Sequence, residues 1–338
     1  MRLGLIARAD DGGLGSLTQE FARHLKVDRA LVVDLGHKSR GVTRYERIQE
    51  VVEDVRSTGH PIPDKEIEWL VKDLDVVYTA ETPYSPNLFA IAKEYKCRVV
   101  LHAMPELLKS EHEDCEVWLP TNWHADQIKH SRIIPVPIAL DRFVYKQRGY
   151  VYTMLHIAGE AMLDRNGTDL LMQALPLVQT SLKLIMAGSQ MPRRVYGNVL
   201  VESRPPVKNY WENYTEDIDL LVMPRRYGGL SMPVQEAAAC GIPTLMLDLP
   251  PQRDWPVLKV PSQSHARARM AGGTFEVYST SPEVLARAID AACSSKNIFD
   301  ISGAARNWAV ELGWLSWIDI YNKSLDALRS AQPLKRNI

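Results

Sequence analysis

Between Leu220 and Leu245 the sequence LLVMPRRYGGLSMPVQEAAACGIPTL changes its hydrophobic pattern twice. Leu220–Met223 is a short apolar run of the kind that forms a buried strand. The loop after it holds Pro224, Arg225, Arg226, Tyr227 and the pair Gly228 and Gly229. Pro233 falls where the first turn of a helix tolerates proline, 234–240 is a run of mostly small residues, and Gly241 with Pro243 ends it. The next strand begins at Ile242. Strand, glycine turn, helix and strand make one βαβ unit, which commits the chain to a parallel sheet with a crossover helix. The turn directs backbone N–H groups and a helix N-terminus at one spot, an arrangement that suits a phosphate. Glu236, in the first helical turn, borders that spot. A plain crossover helix packed by small residues and binding nothing has the same pattern, so the unit alone does not decide function.

The same alternation runs through the first half. Residues 3–7 read as a strand, Asp10 to Gly15 as a glycine loop, and 16–25 as an amphipathic helix with Leu17, Phe21 and Leu25 on one face. Ser16, with Gln19 three residues on, fits a capping box. The loop is G-G-x-G and lacks the third glycine of G-x-G-x-x-G, which argues against a nicotinamide-dependent dehydrogenase. Strands follow at 30–35, 75–79, 98–101, 116–120 and 133–137, and helices at 50–58, 63–74, 87–95 and 122–129. The pattern predicts a doubly wound parallel sheet, with ligands beyond the C-terminal ends of its strands. Glu81 and His102 fall at that edge. His102 has two readings, a hydrogen-bonded structural histidine or a site residue. The basic stretch 37–47, with Lys38, Arg40, Arg44, Arg47 and Tyr45, is either a solvated loop or a contact for an anionic partner.

Residues 139–151 are polar without periodicity and read as a linker. The alternation then restarts, with strands at 153–158, 182–187, 199–202 and 220–223 and a helix at 169–178. After Leu247 the pattern is irregular. Residues 250–256 are too proline-rich for a helix, and Arg253, Lys259, His265, Arg267 and Arg269 outnumber Asp254 there. A strand at 274–278 and a helix at 281–292, capped by Ser281 with Pro282 next, come before a last helical stretch, 304–328. That stretch breaks near Gly313, carries Trp308, Trp314 and Trp317, and reads as a strap returning to the first domain. The expected organisation is a first Rossmann-like domain over 1–145, a second over 150–310, and a helical strap over 311–338.

A length of 338 residues accommodates two such domains. A formal net charge of -1 gives no global attraction to nucleic acid or acidic lipid. No apolar run is long enough for a transmembrane helix, and the N-terminal run is too short for a signal peptide. Cys97, Cys115, Cys240 and Cys293 lack metal-ligand spacing and read as thiols in a reducing, cytoplasmic compartment. No metal site is expected.

Taken together, the motifs resemble those of the retaining, nucleotide-sugar-dependent glycosyltransferases of the GT-B fold, particularly the large family four (glycosyl transferases group 1). The resemblance rests on Gly12-Gly13-Leu14-Gly15-Ser16-Leu17-Thr18, on Trp118 to Trp123, on Pro135 to Phe143, and on Gly228 to Pro233 followed by Glu236 to Pro243. Leu315-Ser316-Trp317 with Tyr321 fits as well. It implies two facing Rossmann-like domains with parallel sheets and a C-terminal helix crossing back to the first. It further implies that the Ser231 and Met232 backbone holds the donor diphosphate, that Glu236 accepts from the ribose hydroxyls, that Gly13 approaches the diphosphate, and that His102 lies near the reacting carbon. In such enzymes the leaving diphosphate helps deprotonate the acceptor, so neither a protein nucleophile nor a metal is needed. No cofactor is expected beyond the donor itself, such as a UDP- or GDP-sugar.

The departures from the family pattern are specific. Gly228 stands where the family has a sugar-facing glutamate, and Glu160 and Asn166 stand where it has an arginine and a lysine. The expectation is that Arg165, Arg225 or Arg226 supplies the displaced charge, since a guanidinium fork matches phosphate oxygens. Glu81, Arg40 and Arg44 are the expected acceptor-side residues. The acceptor is a hydroxyl on a small molecule, a glycan or an anionic partner such as a modified DNA base, with no stable membrane insertion. The competing expectation is a catalytically decayed relative that binds a nucleotide or serves as a scaffold.

Overall fold

The computed structural model describes residues 1–36, 41–108, 115–128, 131–158, 164–270 and 273–330. The chain forms two units, one made of 1–137 and 314–338 and the other of 138–313. Among the described residues no helix is long and apolar enough to cross a membrane.

The first unit is built on a seven-stranded parallel sheet. In chain order its elements are β1 (Leu3–Ala7), α1 (Gly13–His24), β2 (Arg29–Asp34), α2 (Glu46–Gln49), β3 (Asp54–Gly59), α3 (Asp64–Val71), β4 (Val76–Glu81), α4 (Leu88–Glu94), β5 (Arg98–Ala103), β6 (Glu116–Leu119) and β7 (Ser131–Ile133). The spatial order is β3-β2-β1-β4-β5-β6-β7, so the direction of winding reverses between β1 and β4. The two central strands are buried on both faces, which explains why they read as unbroken apolar runs. One face packs against α3 and α4 through Ile67, Leu70, Leu88 and Ile91.

Three local expectations for this unit are corrected. The helix expected over 50–58 is instead the short α2 followed by β3. β3 is an edge strand of sequence DVRSTG, and its largely exposed side chains gave it no apolar alternation to read. The helix α1 starts earlier than a Ser16 cap requires: Gly12 is its N-cap, and Ser16 sits inside the first turn with its N–H on the Gly12 carbonyl at 3.1 Å. Over 122–129 the described part holds only a 3-10 turn at Ala125–Gln127.

The second unit repeats the plan. It contains β8 (Thr153–Ile157), α5 (Thr168–Ala174), β9 (Leu182–Ala187), β10 (Arg194–Tyr196), β11 (Val199–Ser203), β12 (Leu220–Met223), α6 (Met232–Ala239), β13 (Thr244–Leu247) and β14 (Leu258–Val260). These seven strands are ordered β10-β11-β9-β8-β12-β13-β14, and all pair in parallel except the β10–β11 hairpin. A separate hairpin, β15 (Gln263–Met270) with β16 (Gly273–Ser279), follows, then α7 (Pro282–Ser294) and α8 (Ile298–Glu311). Ser281 caps α7 by accepting from the Val284 N–H, as its sequence context predicts. The stretch read as a linker packs on this unit: Arg148 is buried and donates to the carbonyls of Ile218 and Cys240, each at 2.9 Å. The helix α9 (Trp314–Ser330) returns to the first unit, where the Tyr321 hydroxyl donates to the Pro135 carbonyl at 2.9 Å.

Candidate functional site

In the second unit the chain leaves β12 through the turn 224–231 and enters α6. Ser231 is extended, its carbonyl receives the first helical N–H bonds from Val234 and Gln235, and Pro233 sits in the first turn, where its missing N–H costs nothing. Cys240 and a left-handed Gly241 close the helix. Ser231 is buried, and its hydroxyl has no hydrogen-bond partner among the described residues. Met232 is half-buried.

Gly228 is the centre of this turn. Its φ of +109° is a conformation that side-chain-bearing residues rarely adopt. A Cβ there would lie 2.5 Å from Nη2 of Arg225 and 2.7 Å from Nη2 of Arg165. Two guanidinium tips therefore occupy the space that a side chain at this position would need. Arg225 is buried and its Nε donates to the Tyr227 carbonyl at 3.0 Å, while Arg165 lies over the Tyr227 ring at 5.4 Å. The Arg226 N–H donates to the Arg165 carbonyl at 2.9 Å and ties the two loops together. The Arg226 side chain goes elsewhere, with Nε on the Tyr278 carbonyl at 3.1 Å and Nη1 3.9 Å from Asp164. Of the three candidate arginines, two converge on Gly228 and the third anchors the β16 strand. Asn166 spends its amide nitrogen on the Ile157 carbonyl at 3.0 Å. Glu160 lies outside the described residues.

Glu236 sits on the buried face of α6, where the Tyr214 hydroxyl donates to its Oε2 at 2.5 Å. Burial pushes its carboxyl up to about 7, and the Tyr214 bond opposes that shift. The same burial, with Glu236 alongside, drives the Tyr214 hydroxyl well above the ordinary phenol range.

One residue of this site had no signal in the sequence. Gln252 follows two prolines and begins a 3-10 turn, Gln252–Asp254, after β13. It is 1% exposed, its Nε2 donates to the Gly228 carbonyl at 2.9 Å, and its Oε1 has no partner among the described residues. The sequence marked this stretch only as too proline-rich for a helix.

The first unit disposes its candidates differently. His102 lies within β5 on the face opposite Leu101 and Ala103 and is fully buried. Tyr78, Trp118 and Tyr321 surround it with ring centroids 5.9, 6.0 and 6.5 Å away, and the Tyr78 hydroxyl is 2.8 Å from Nδ1. Burial pushes the imidazole down to about 4, outweighing a backbone contact from Ile134. His102 thus lies near the C-terminal end of β5, as expected, and of its two readings its burial matches the hydrogen-bonded structural one: strand alternation turns it into an aromatic cluster closed by Tyr321 of α9.

Glu81 ends β4 half-buried with a φ of +68°, and Tyr84, three residues on, also has a positive φ of 57°. Gly13 opens α1 and is exposed. Around it two carboxylates of the same unit take up nearby donors. Asp10 pairs with Arg8 and accepts from the Gly12 N–H at 3.1 Å, and Asp11 accepts from Arg44 Nε at 3.1 Å and Arg47 Nη2 at 3.0 Å. Arg44, expected on the acceptor side, is held by that carboxylate. Arg40 lies outside the described residues.

Residues 153–269 match the family model of the glycosyl transferases group 1. Among solved structures, a glycosyltransferase from Rickettsia africae superposes with a TM-score of 0.71 at 12% identity over 98% of this chain and 99% of that one. HepE of Anabaena, solved with UDP and glucose, gives 0.68 at 11% identity over 97% of this chain and all of that one. Sucrose-phosphate synthase from Thermosynechococcus elongatus gives 0.66 at 13% identity over 98% and 100%. A search of curated protein sequences finds no match. The fold is that of the GT-B proteins, two Rossmann-like units with the C-terminal helix returned to the first. The match to the glycosyl transferases group 1 model falls entirely within the second unit.

Proposed function

We propose that this chain is a glycosyltransferase that moves a sugar, with retention, from a nucleoside-diphosphate sugar to a hydroxyl acceptor. The observation that carries this reading is the convergence of Arg165 and Arg225 on Gly228 at the entrance to α6. Guanidinium groups beside a helix N-terminus suit a diphosphate, because fixed donors and the helix dipole act on the same anion. The diphosphate lies along the Ser231 and Met232 backbone, with Arg165 and Arg225 replacing the cations that positions 160 and 166 lack. Glu236 accepts from the ribose hydroxyls. In the transfer, the bond from the anomeric carbon to the diphosphate oxygen breaks and a bond to the acceptor oxygen forms on the same face of the sugar. The leaving diphosphate takes the acceptor proton, so the reading needs no protein nucleophile or metal. UDP and UDP-glucose, found with HepE, are the first nucleotides to try.

One observation favours a second reading, a nucleotide binder without turnover: His102, the expected group beside the reacting carbon, is enclosed among aromatic rings. The two separate in one experiment. Thermal unfolding is followed with UDP, GDP and their sugars, and release of free nucleotide is then measured with and without candidate acceptors. A raised unfolding temperature with nucleotide release supports the transferase. A raised temperature with no release under any acceptor supports the binder, and no shift with any nucleotide contradicts both.

A further inference from the structure

We propose that Gln252 reads the donor sugar: its amide nitrogen holds the Gly228 turn, and its amide oxygen accepts a hydrogen bond from a hydroxyl of the bound sugar. The proposal rests on the donor-site reading above and adds the residue that discriminates between sugars. A carbonyl oxygen can only accept, so the 2.9 Å contact with the Gly228 carbonyl requires the amide nitrogen of Gln252 there. That fixes Oε1 on the other side of the amide. Oε1 is buried and has no donor among the described residues. A buried acceptor left without a donor is unfavourable, and native proteins keep such groups chiefly where a ligand, ion or water completes them.

The position gives the missing donor its chemistry. Gly228 lies three residues before Ser231, where the diphosphate is read to sit, so a group joined to that diphosphate falls within reach of the turn. The neighbours at Gly228 are guanidinium tips, which only donate, and the Gln252 amide, whose nitrogen holds the Gly228 carbonyl and whose oxygen, on the far side of the amide, only accepts. A group bearing oxygen acceptors and an O–H donor satisfies both, as a sugar with adjacent hydroxyls does. Oε1 is buried, so a hydroxyl reaches it only when the groups around the turn shift. A site built to bond a hydroxyl rejects an analogue that lacks or misplaces it far better than an apolar pocket rejects extra bulk.

Dissociation constants are measured by calorimetry so that the outcome does not depend on turnover. The probes are UDP, UDP-glucose and UDP-galactose, with GDP and GDP-mannose as a second set, and the proteins are wild type, Gln252→Met and Gln252→Glu. Met keeps the shape without the amide, and Glu keeps an acceptor oxygen. The expected result is that wild type separates the two UDP-hexoses by tenfold or more. Gln252→Met should bring them within about threefold while UDP affinity stays within twofold, and Gln252→Glu should recover part of the separation. The inference is overturned if Gln252→Met keeps the wild-type separation, if wild type shows none, or if UDP and the UDP-sugars weaken in parallel, which is what a loop-holding role alone predicts. A wild-type chain that binds none of these nucleotides removes the donor-site reading itself, a result distinct from the others.

Discussion

Each unit carries a glycine turn from a strand into a helix, and the two turns are finished in opposite ways. In the first, Asp10 and Asp11 bring their own carboxylates to the turn: Asp10 takes the Gly12 N–H and Arg8, and Asp11 takes Arg44 and Arg47. In the second, the segment 224–231, PRRYGGLS, contains no acid. Two guanidinium tips meet at Gly228, and the Ser231 hydroxyl and Gln252 Oε1 have no hydrogen-bond partner among the described residues. Acids and arginines thus pair beside the first turn, whereas two arginines meet at the second with no acid in the turn itself. A glycine turn marks a place where a backbone can approach a phosphate, and the charges beside it decide whether one is wanted.

The comparison predicts an asymmetry between the two sets of arginines. Arg225→Ala or Arg165→Ala should lower turnover on a nucleotide sugar by on the order of 100-fold, about 3 kcal/mol, the usual loss for one electrostatic donor to the transition state. Arg44→Ala should leave nucleotide affinity within about twofold and shift unfolding by less than about 1 kcal/mol, because its partnership with Asp11 is half-exposed. Calorimetry and steady-state rates on the three variants check this. Equal losses from Arg44→Ala and Arg225→Ala would erase the distinction between the turns.

Next in size is a pair of glycine substitutions. A Cβ at Gly15 falls on the Asp10 carbonyl, so Gly15→Ala should destabilise the protein by about 1–3 kcal/mol in denaturant unfolding. In Gly228→Ala the Cβ meets guanidinium tips, which are flexible, although the φ remains unfavourable. Its larger effect should therefore fall on nucleotide binding. The two variants sharpen the comparison by separating a turn that is part of the scaffold from one that is part of the site.

Protonation gives a third contrast. Glu236, held near 7 by burial, binds its proton more tightly folded than unfolded. Its contribution to stability is therefore present below its ordinary value near 4.5 and is lost as pH rises through about 7. Glu236→Gln should raise the unfolding temperature of the unliganded protein at pH 8 and change it little at pH 4.5. If the ionised carboxylate receives the ribose hydroxyls, nucleotide affinity should fall about tenfold per pH unit below 7 in wild type and lose that slope in the variant. His102 and His156, the latter buried in β8 with Nδ1 2.8 Å from the Val222 carbonyl, behave in the opposite sense. Burial holds each near 4, so the stability they contribute is intact above 6.5 and is lost as pH falls from 6.5 through 4. His102→Phe should make that acid slope shallower while nucleotide affinity persists, as measured by thermal unfolding across pH and by calorimetry.

A further small effect concerns the returning helix. Tyr321→Phe removes a hydroxyl that donates to the Pro135 carbonyl, and about 1 kcal/mol of stability should go with it.

The sequence made the second turn easier to read than the first, for physical reasons. β12, α6 and β13 combine unbroken apolar runs with glycine and proline at their ends, and each of these signals is local. β3 carries its side chains on an exposed sheet edge, so nothing in DVRSTG distinguishes it from a polar helix. In β15 arginines alternate with small residues, and only its pairing with β16 makes it a strand. The fate of His102 was not legible, because it depends on strand alternation together with Tyr321, more than two hundred residues away. Arg44 looked available because its partner, Asp11, is distant in sequence, and Gln252 looked like loop because its contact with Gly228 is tertiary. Periodicity and turn chemistry are properties of neighbours in the chain. Partners brought together by folding leave no such trace.

A crystal structure of the protein soaked with UDP-glucose would locate the diphosphate. It is expected within about 3.2 Å of the Arg165 or Arg225 guanidinium and of the backbone at Ser231 and Met232. A diphosphate bound away from Gly228, with Arg165 and Arg225 untouched, would contradict it.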